Sequence, residues 1–312
     1  MTVLLYTHPA CLEHDTGPGH VESADRLRAV LAALDGPDFS ALARRIAPLA
    51  HESQIERVHE RPYLADLAVW LQSADTVPLD GGDTIIGPGS ARAMRRAAGA
   101  GCAAVGEVFH PDGASRRAFC AVRPPGHHAE PGRGMGFCLL NNVAIAAAEA
   151  LAAGHATRVA IADFDVHHGN GTQAWAQGHS DVLFLSSHQV PLYPGTGMAE
   201  ETGRFGNILN APLAPGSGSA EFRAAWLWHL LPALDRFKPQ LILISAGFDA
   251  HRRDPLASLN LEAGDFAWIT AQLCQSANRH AGGRVVSFLE GGYDLDALAE
   301  CSAAHVRELM GA

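Results

Sequence analysis

Lysine is nearly absent from this chain: Lys238 is the only one among 312 residues, and arginine supplies the rest of the 23 basic side chains. With abundant alanine and glycine, that bias fits a GC-rich bacterial genome. Positive charge is scarce too. The 33 acidic residues leave a formal net charge of -10, which excludes nucleic acid as the expected partner, because wrapping a phosphate backbone draws on clustered Lys and Arg. Cysteine is limited to six residues, at positions 11, 102, 120, 138, 274 and 301, with no C-x-x-C pair. They read as core thiols kept reduced. Long apolar runs are missing: the longest, 143–153, is interrupted by Glu149 and is too short to span a bilayer. The N-terminal MTVLLYTHPA lacks a basic segment followed by a long apolar one, so a cytoplasmic protein is expected. Hydrophobic residues at 47% and charged residues at 18% place the chain far from the composition of disorder. What it holds in surplus is histidine, with 17 residues, a generous supply of metal ligands and proton carriers.

Short apolar runs alternate with longer segments of helical period, the pattern of a parallel sheet covered by helices. Strands are expected at 3–6, 117–122, 158–162, 182–186, 241–245 and 284–289, and helices at 23–34, 62–72, 90–109, 141–153, 220–237, 264–280 and 296–310. Ser23, Ser90, Asn141 and Asp294 stand where capping residues belong. No linker, charge block or repeat divides the chain, so one α/β domain over 1–312 is expected, with a mostly parallel sheet of about eight strands and helices on both faces. Loops rich in Gly, Pro and His follow several of the strands. In open parallel sheets the ligand site lies outside the carboxyl ends of the strands.

Four of these strand ends carry chemistry. In RVAIADFDVHHGNGT, Asp163, Asp165 and His167 alternate, and an extended segment of period two would point them the same way as a metal half-site. Asp249, just past the strand in LILISAGFDAHRRDP, offers a further ligand; two carboxylates and one imidazole leave positions open for water and substrate, as catalytic zinc sites do. In FCAVRPPGHHAEPGRGMGFCLLNN, the Pro124-Pro125-Gly126 turn fixes the backbone of His127 and His128, which suit acid and base work beside a metal. In VVSFLEGGYDL, Gly291 and Gly292 present Tyr293, whose hydroxyl can donate to a carbonyl oxygen as it becomes an oxyanion.

Together these motifs resemble the histone deacetylase family, the zinc-dependent branch of the arginase/deacetylase fold. The resemblance spans nearly the whole chain, from HDTGPGHVESADRL at 14–27 through RPPGHH, GFCLLNN, DFDVHHGNGT, SSH, YPGTG, SAGFDAH and DPL to EGGYDL. Asn170, where some members carry aspartate, is similar to the class II branch and its bacterial relatives. Matched residue by residue, the resemblance implies one Zn2+ held by Asp165, His167 and Asp249. It implies His128 as general base and later acid, leaning on Asn170, and His127 as its electrostatic partner bonded to Asp163. Tyr293 would polarise the acyl carbonyl. Phe137 and Tyr193 would wall a narrow substrate tunnel, with Gly136 contributing backbone, and a K+ site is implied at Asp163, Asp165, His167 and Ser186.

Polyamine deacetylases of this family carry an acidic gatekeeper two residues after the Asp of the DP motif; here Asp254-Pro255 is followed by Leu256. That favours an acyl-lysine peptide or protein over an acetylpolyamine or other small acylated amine, although the acidic net charge would also attract polycations. A ureohydrolase with two manganese ions shares the D-x-D-x-H logic but needs extra aspartates that SAGFDAHRRDP does not offer. A non-catalytic acyl-lysine binder would have no use for both histidines, Tyr293 and all three ligands. Fe(II) or Co(II) would suit the same ligands, and an assembly of identical chains stays open.

Overall fold

Strand-forming runs such as LILISA and VVSFL are apolar but for one serine each and buried at every position, because both of their faces are covered. A computed structural model describes residues 2–73, 75–113 and 115–311. Its strands are β1 (Thr2–Thr7), β2 (Ala43–Ile46), β3 (Val77–Leu79), β4 (Thr84–Ile86), β5 (Ser115–Cys120), β6 (Val159–Asp163), β7 (Val182–Gln189), β8 (Ile208–Leu213), β9 (Leu241–Ala246) and β10 (Val285–Leu289). Eight of them form one sheet in the order β2-β1-β5-β10-β9-β6-β7-β8, with every neighbouring pair parallel. β3 and β4 form a separate antiparallel hairpin.

Consecutive residues of β10 show why helices cover both faces. Phe288 packs against Gly101 in the helix Ser90–Phe109, where an added Cβ would come within 2.5 Å of the ring. Its neighbour Ser287 is 2.8 Å from His305 Nε2 in the helix Leu295–Gly311. Side chains alternate across a strand, so these two helices lie on opposite faces.

The expected strands are all present, within one to three residues at their ends. The two outer strands, β2 and β8, were not anticipated: ARRI and ILNAPL lie at sheet edges, where one side needs no apolar cover. The expected helix 220–237 is interrupted by a π-helical turn, Trp226–Leu230, just before Pro232, which has no N–H to give the preceding turn. Asn141 caps its helix by accepting from Ala144 N–H at 3.0 Å, and Asp294 accepts from Ala297 N–H at 2.8 Å. Ser23 makes no such bond, and Ser90 lies inside its helix and accepts from Gly87 N–H instead.

A buried carboxylate joins the loops at the carboxyl end of the sheet. Glu22 accepts from Arg123 at 2.6 and 2.8 Å and from Arg26 at 3.0 Å, and all three side chains are fully buried. Arg26 also donates to the carbonyls of Gly292, at 2.6 Å, and Glu290, while Arg123 donates to that of Cys11 at 2.9 Å. Burial alone would raise the Glu22 pKa, but Arg123 and then Arg26 outweigh it and hold it at about 2. Because the folded value lies below the unfolded one, the stability this group contributes is present above the unfolded pKa and is lost as pH falls through the folded pKa. Glu22→Gln leaves two buried guanidinium groups without the carboxylate that pairs with both and is expected to cost about 3–5 kcal/mol in urea unfolding at neutral pH. The gap from wild type should narrow as pH drops from 4.5 toward 2.

Candidate active site

The end of β6 positions the acids. Asp165 N–H donates to Asp163 Oδ1 at 3.1 Å and His167 N–H to Asp165 Oδ1 at 2.9 Å, so the chain turns after Asp163 and is not the extended segment expected from alternation. This turn divides the three residues. Asp165 and His167 meet Asp249, from the end of β9, with one ligand atom of each within 4.8 Å of the others. Asp163 points instead to His127, 3.0 Å from its Nδ1.

The backbone around the acids is glycine where nothing larger fits. A Cβ at Gly247 would sit 1.9 Å from Asp165 Oδ2, and one at Gly291 would sit 2.0 Å from Asp249 Oδ2. Gly291 N–H donates to Asp165 Oδ2 at 2.8 Å and Val166 N–H to Asp249 Oδ1 at 2.8 Å, which fixes both carboxylates. The donor set suits a divalent transition ion: His167 Nδ1 lies 3.1 Å from an oxygen of each acid, and all three groups are buried. Burial first, and then the Asp165 carboxylate, raise the Asp249 pKa, the signature of negative charge gathered where a cation is needed.

The two histidines that follow β5 are tuned in opposite directions. Their backbone is held by Glu290, whose Oε2 accepts from Gly126 N–H at 2.6 Å and His127 N–H at 3.2 Å. Burial opposes charge on His127, but Asp165 and Asp163 prevail and hold its pKa well above the usual value. His128 lies 4.0 Å away, ring to ring, with Nδ1 2.8 Å from Asn170 Oδ1. Burial, then the neighbouring His127 and His167, push its pKa well below the usual value. One imidazole is therefore kept charged and the other neutral, a division that separates electrostatic from acid-base work.

Tyr293 completes the group. Its N–H donates to Asp254 Oδ2 at 2.7 Å, and Arg26 lies over its ring at 4.8 Å. Burial raises its pKa well above that of a free phenol; Arg26 opposes this, and Asp249 and Asp165 add to it. The hydroxyl stays a donor. His128, His167, Tyr293, Phe137, Tyr193 and Leu256 share one cavity of about 440 Å³, with Gly136 also on its wall. Tyr193 meets His128 edge-on at 5.1 Å and Phe137 meets Tyr293 edge-on at 5.8 Å. A larger hollow of about 1010 Å³ lies between the helices Arg61–Trp70 and Ser90–Phe109 and borders none of these groups.

Like His127, Asp163, Asp165, Asn170 and Asp249, Ser186 is an expected site residue that does not line this cavity. It is the register partner of Asp163 across β6 and β7, and its hydroxyl is 2.8 Å from His188 Nδ1. Several residues that shape the site were not read from the sequence: Glu22, Arg26, Arg123, Glu290, Glu130, Asp80 and Thr84. The last two belong to the β3–β4 hairpin. Asp80 accepts from Gly136 N–H and Thr84 Oγ1 from Phe137 N–H, both at 2.8 Å, and hold Phe137 at a left-handed φ of 68°. An aspartate before a glycine pair reads as turn chemistry, and only the packed hairpin shows that it also props the cavity wall.

The histone deacetylase domain model matches residues 20–309. The chain belongs to the histone deacetylase family. It is 40% identical to the histone deacetylase-like amidohydrolase of Pseudomonas aeruginosa, over 96% of this chain and 84% of that one. A probable deacetylase of Archaeoglobus fulgidus is 37% identical over 93% and 80% of the two chains. The crystal structure of the HDA15 HD domain superposes with a TM-score of 0.92 at 34% identity, covering 99% of this chain and 88% of the other. The eight-stranded parallel α/β fold is thus that of the family, and deacetylases and amidohydrolases are its relatives. Among the described residues no helix is long and apolar enough to cross a membrane.

If Asp249 is a ligand, titration calorimetry with Zn2+ or Co2+ should show one ion per wild-type chain and no stoichiometric binding by Asp249→Ala, whose circular dichroism is unchanged. Equal affinity in the two proteins would remove Asp249 from the ligand set.

Proposed function

We propose that this chain is a zinc-dependent deacetylase that hydrolyses acetyl or other short acyl amides on the lysine side chains of peptides or proteins. The observation that carries this reading is one cavity lined by His167 of the Asp-His-Asp group, by an imidazole kept neutral and by a phenol kept protonated. Asp165, His167 and Asp249 would hold one Zn2+, which when bound supplies Lewis-acid polarisation of the amide carbonyl and makes a water more acidic.

This chain's own groups divide the remaining work. Neutral His128 takes the proton of the attacking water. Asn170, accepting from Nδ1, leaves Nε2 free for that proton. His127, held charged by Asp163, offsets the negative charge that develops nearby. The Tyr293 hydroxyl donates to the carbonyl oxygen as it becomes an oxyanion. His128 then returns its proton to the departing amine.

Phe137 and Tyr193 flank the cavity as the walls of a slot for an aliphatic stem, and Leu256 on its lining stands where a polyamine deacetylase would carry an acid. A free polyamine amide is the second reading, favoured by the net charge of -10 and by Asp83 on the cavity lining. We also assign a structural K+ to Asp163, Asp165, His167 and Ser186, and a cytoplasmic setting in keeping with six free, buried cysteines.

Tyr293→Phe should fold and bind metal as wild type does, with kcat reduced about 100- to 1000-fold. Near-normal turnover would remove Tyr293 from the reaction. With an acetyl-lysine peptide and an acetylated polyamine assayed side by side, kcat/KM should favour the peptide, and a tenfold preference for the polyamine would overturn the substrate assignment.

A further inference from the structure

The partner of His128 is an amide, and an amide has a wrong way round. Asn170 presents Oδ1 to His128 Nδ1 at 2.8 Å. Rotated by half a turn, it would present an NH2 group there instead, and His128 would have to accept on Nδ1 and carry its hydrogen on Nε2. That tautomer has no lone pair to offer on the other nitrogen. The remaining atom of the amide decides between the two: Asn170 Nδ2 lies 2.7 Å from Glu130 Oε1. A carboxylate accepts and does not donate, so it holds the NH2 end. Met135 Sδ, 3.3 Å from the same nitrogen, is a second acceptor on that side. Glu130 is in turn fixed by Arg133, which donates to its two oxygens at 2.9 and 3.0 Å.

We propose that Glu130 is a positioning residue that locks the Asn170 amide in one orientation and thereby sets the tautomer of His128, with hydrogen on Nδ1 and Nε2 free. It acts from outside the cavity, through Asn170, and touches no reacting atom. An aspartate in place of Asn170 would need no such lock, because its two oxygens are equivalent acceptors. The Glu130-Asn170 pair thus does with an oriented neutral amide what a carboxylate would do by symmetry, without adding charge beside His128. The catalytic consequence rests on the proposed role of His128 as base; the tautomer does not.

The test therefore reads the tautomer directly. In 15N-histidine-labelled protein, with His128 assigned by its absence in His128→Gln, long-range 1H–15N spectra should show one Nδ1–H tautomer in wild type. Glu130→Gln, whose side-chain oxygen still accepts, should keep it, and Glu130→Ala should show both tautomers. A single unchanged tautomer in Glu130→Ala would overturn the proposal, whatever the enzyme acts on. In turnover of an acetyl-lysine peptide, Glu130→Ala should lower kcat about tenfold with KM unchanged. The same substitution in an Asn170→Asp background should cost nothing further, whereas an equal loss in both backgrounds would mean a merely structural role. Tautomer mixing without any turnover by wild type would leave the positioning role standing and defeat the assigned reaction.

Discussion

The structure is organised around negative charge buried at the carboxyl end of a parallel sheet. Asp163, Asp165 and Asp249 are each fully removed from solvent, within reach of one another's fields. Carboxylates in such surroundings are costly unless protonated, paired or bound to a cation. Each nearby feature answers that constraint. Asp163 is matched by a histidine held in its charged form, backbone N–H groups converge on Asp165 and Asp249, and glycines at 169, 247 and 291 bring the chain close enough for this. The imidazole of His167 then leaves the space between Asp165 and Asp249 suited to a metal ion.

A second layer of buried charge keeps the loops in place. The Glu22 carboxylate between Arg26 and Arg123 ties the start of the helix Ala24–Ala33 to the loops that follow β5 and β10. Glu290, at the end of β10, accepts from the backbone that carries His127. Burial raises Glu290 to about 7 against the pull of His127. Through these contacts His127, His128 and Tyr293 come from distant parts of the chain yet share one frame. Two adjacent buried imidazoles differ in protonation because Asp165 and Asp163 hold one charged, while burial and the charged neighbour keep the other neutral.

Much of this was legible in the sequence for a local reason: the candidate ligands, histidines and tyrosine each lie within a few residues of a strand end, and apolar strands stand out from their surroundings. The central strands were readable for that reason, whereas β2 and β8, being edges, carry arginine, asparagine or proline and look like loop. Alternation along 163–167 drew attention to three side chains but not to their division, since turns made by the aspartates' own oxygens replace the strand after Asp163. Contacts between remote segments left no local mark: Glu22 to Arg123, Arg26 to the Gly292 carbonyl, and Glu130 to Asn170. Nothing in LDGGDT states that Asp80 and Thr84 brace Phe137; the hairpin must first be folded against that loop.

On the proposed reading, one metal ion at Asp165, His167 and Asp249 serves amide hydrolysis by groups already in place around it. The most direct measurement is turnover of an acetyl-lysine peptide by chelator-treated protein titrated with Zn2+. Activity should be lost with the metal and rise linearly to a plateau at one equivalent per chain. Activity that survives complete removal of metal, or that requires two equivalents, would contradict this reading.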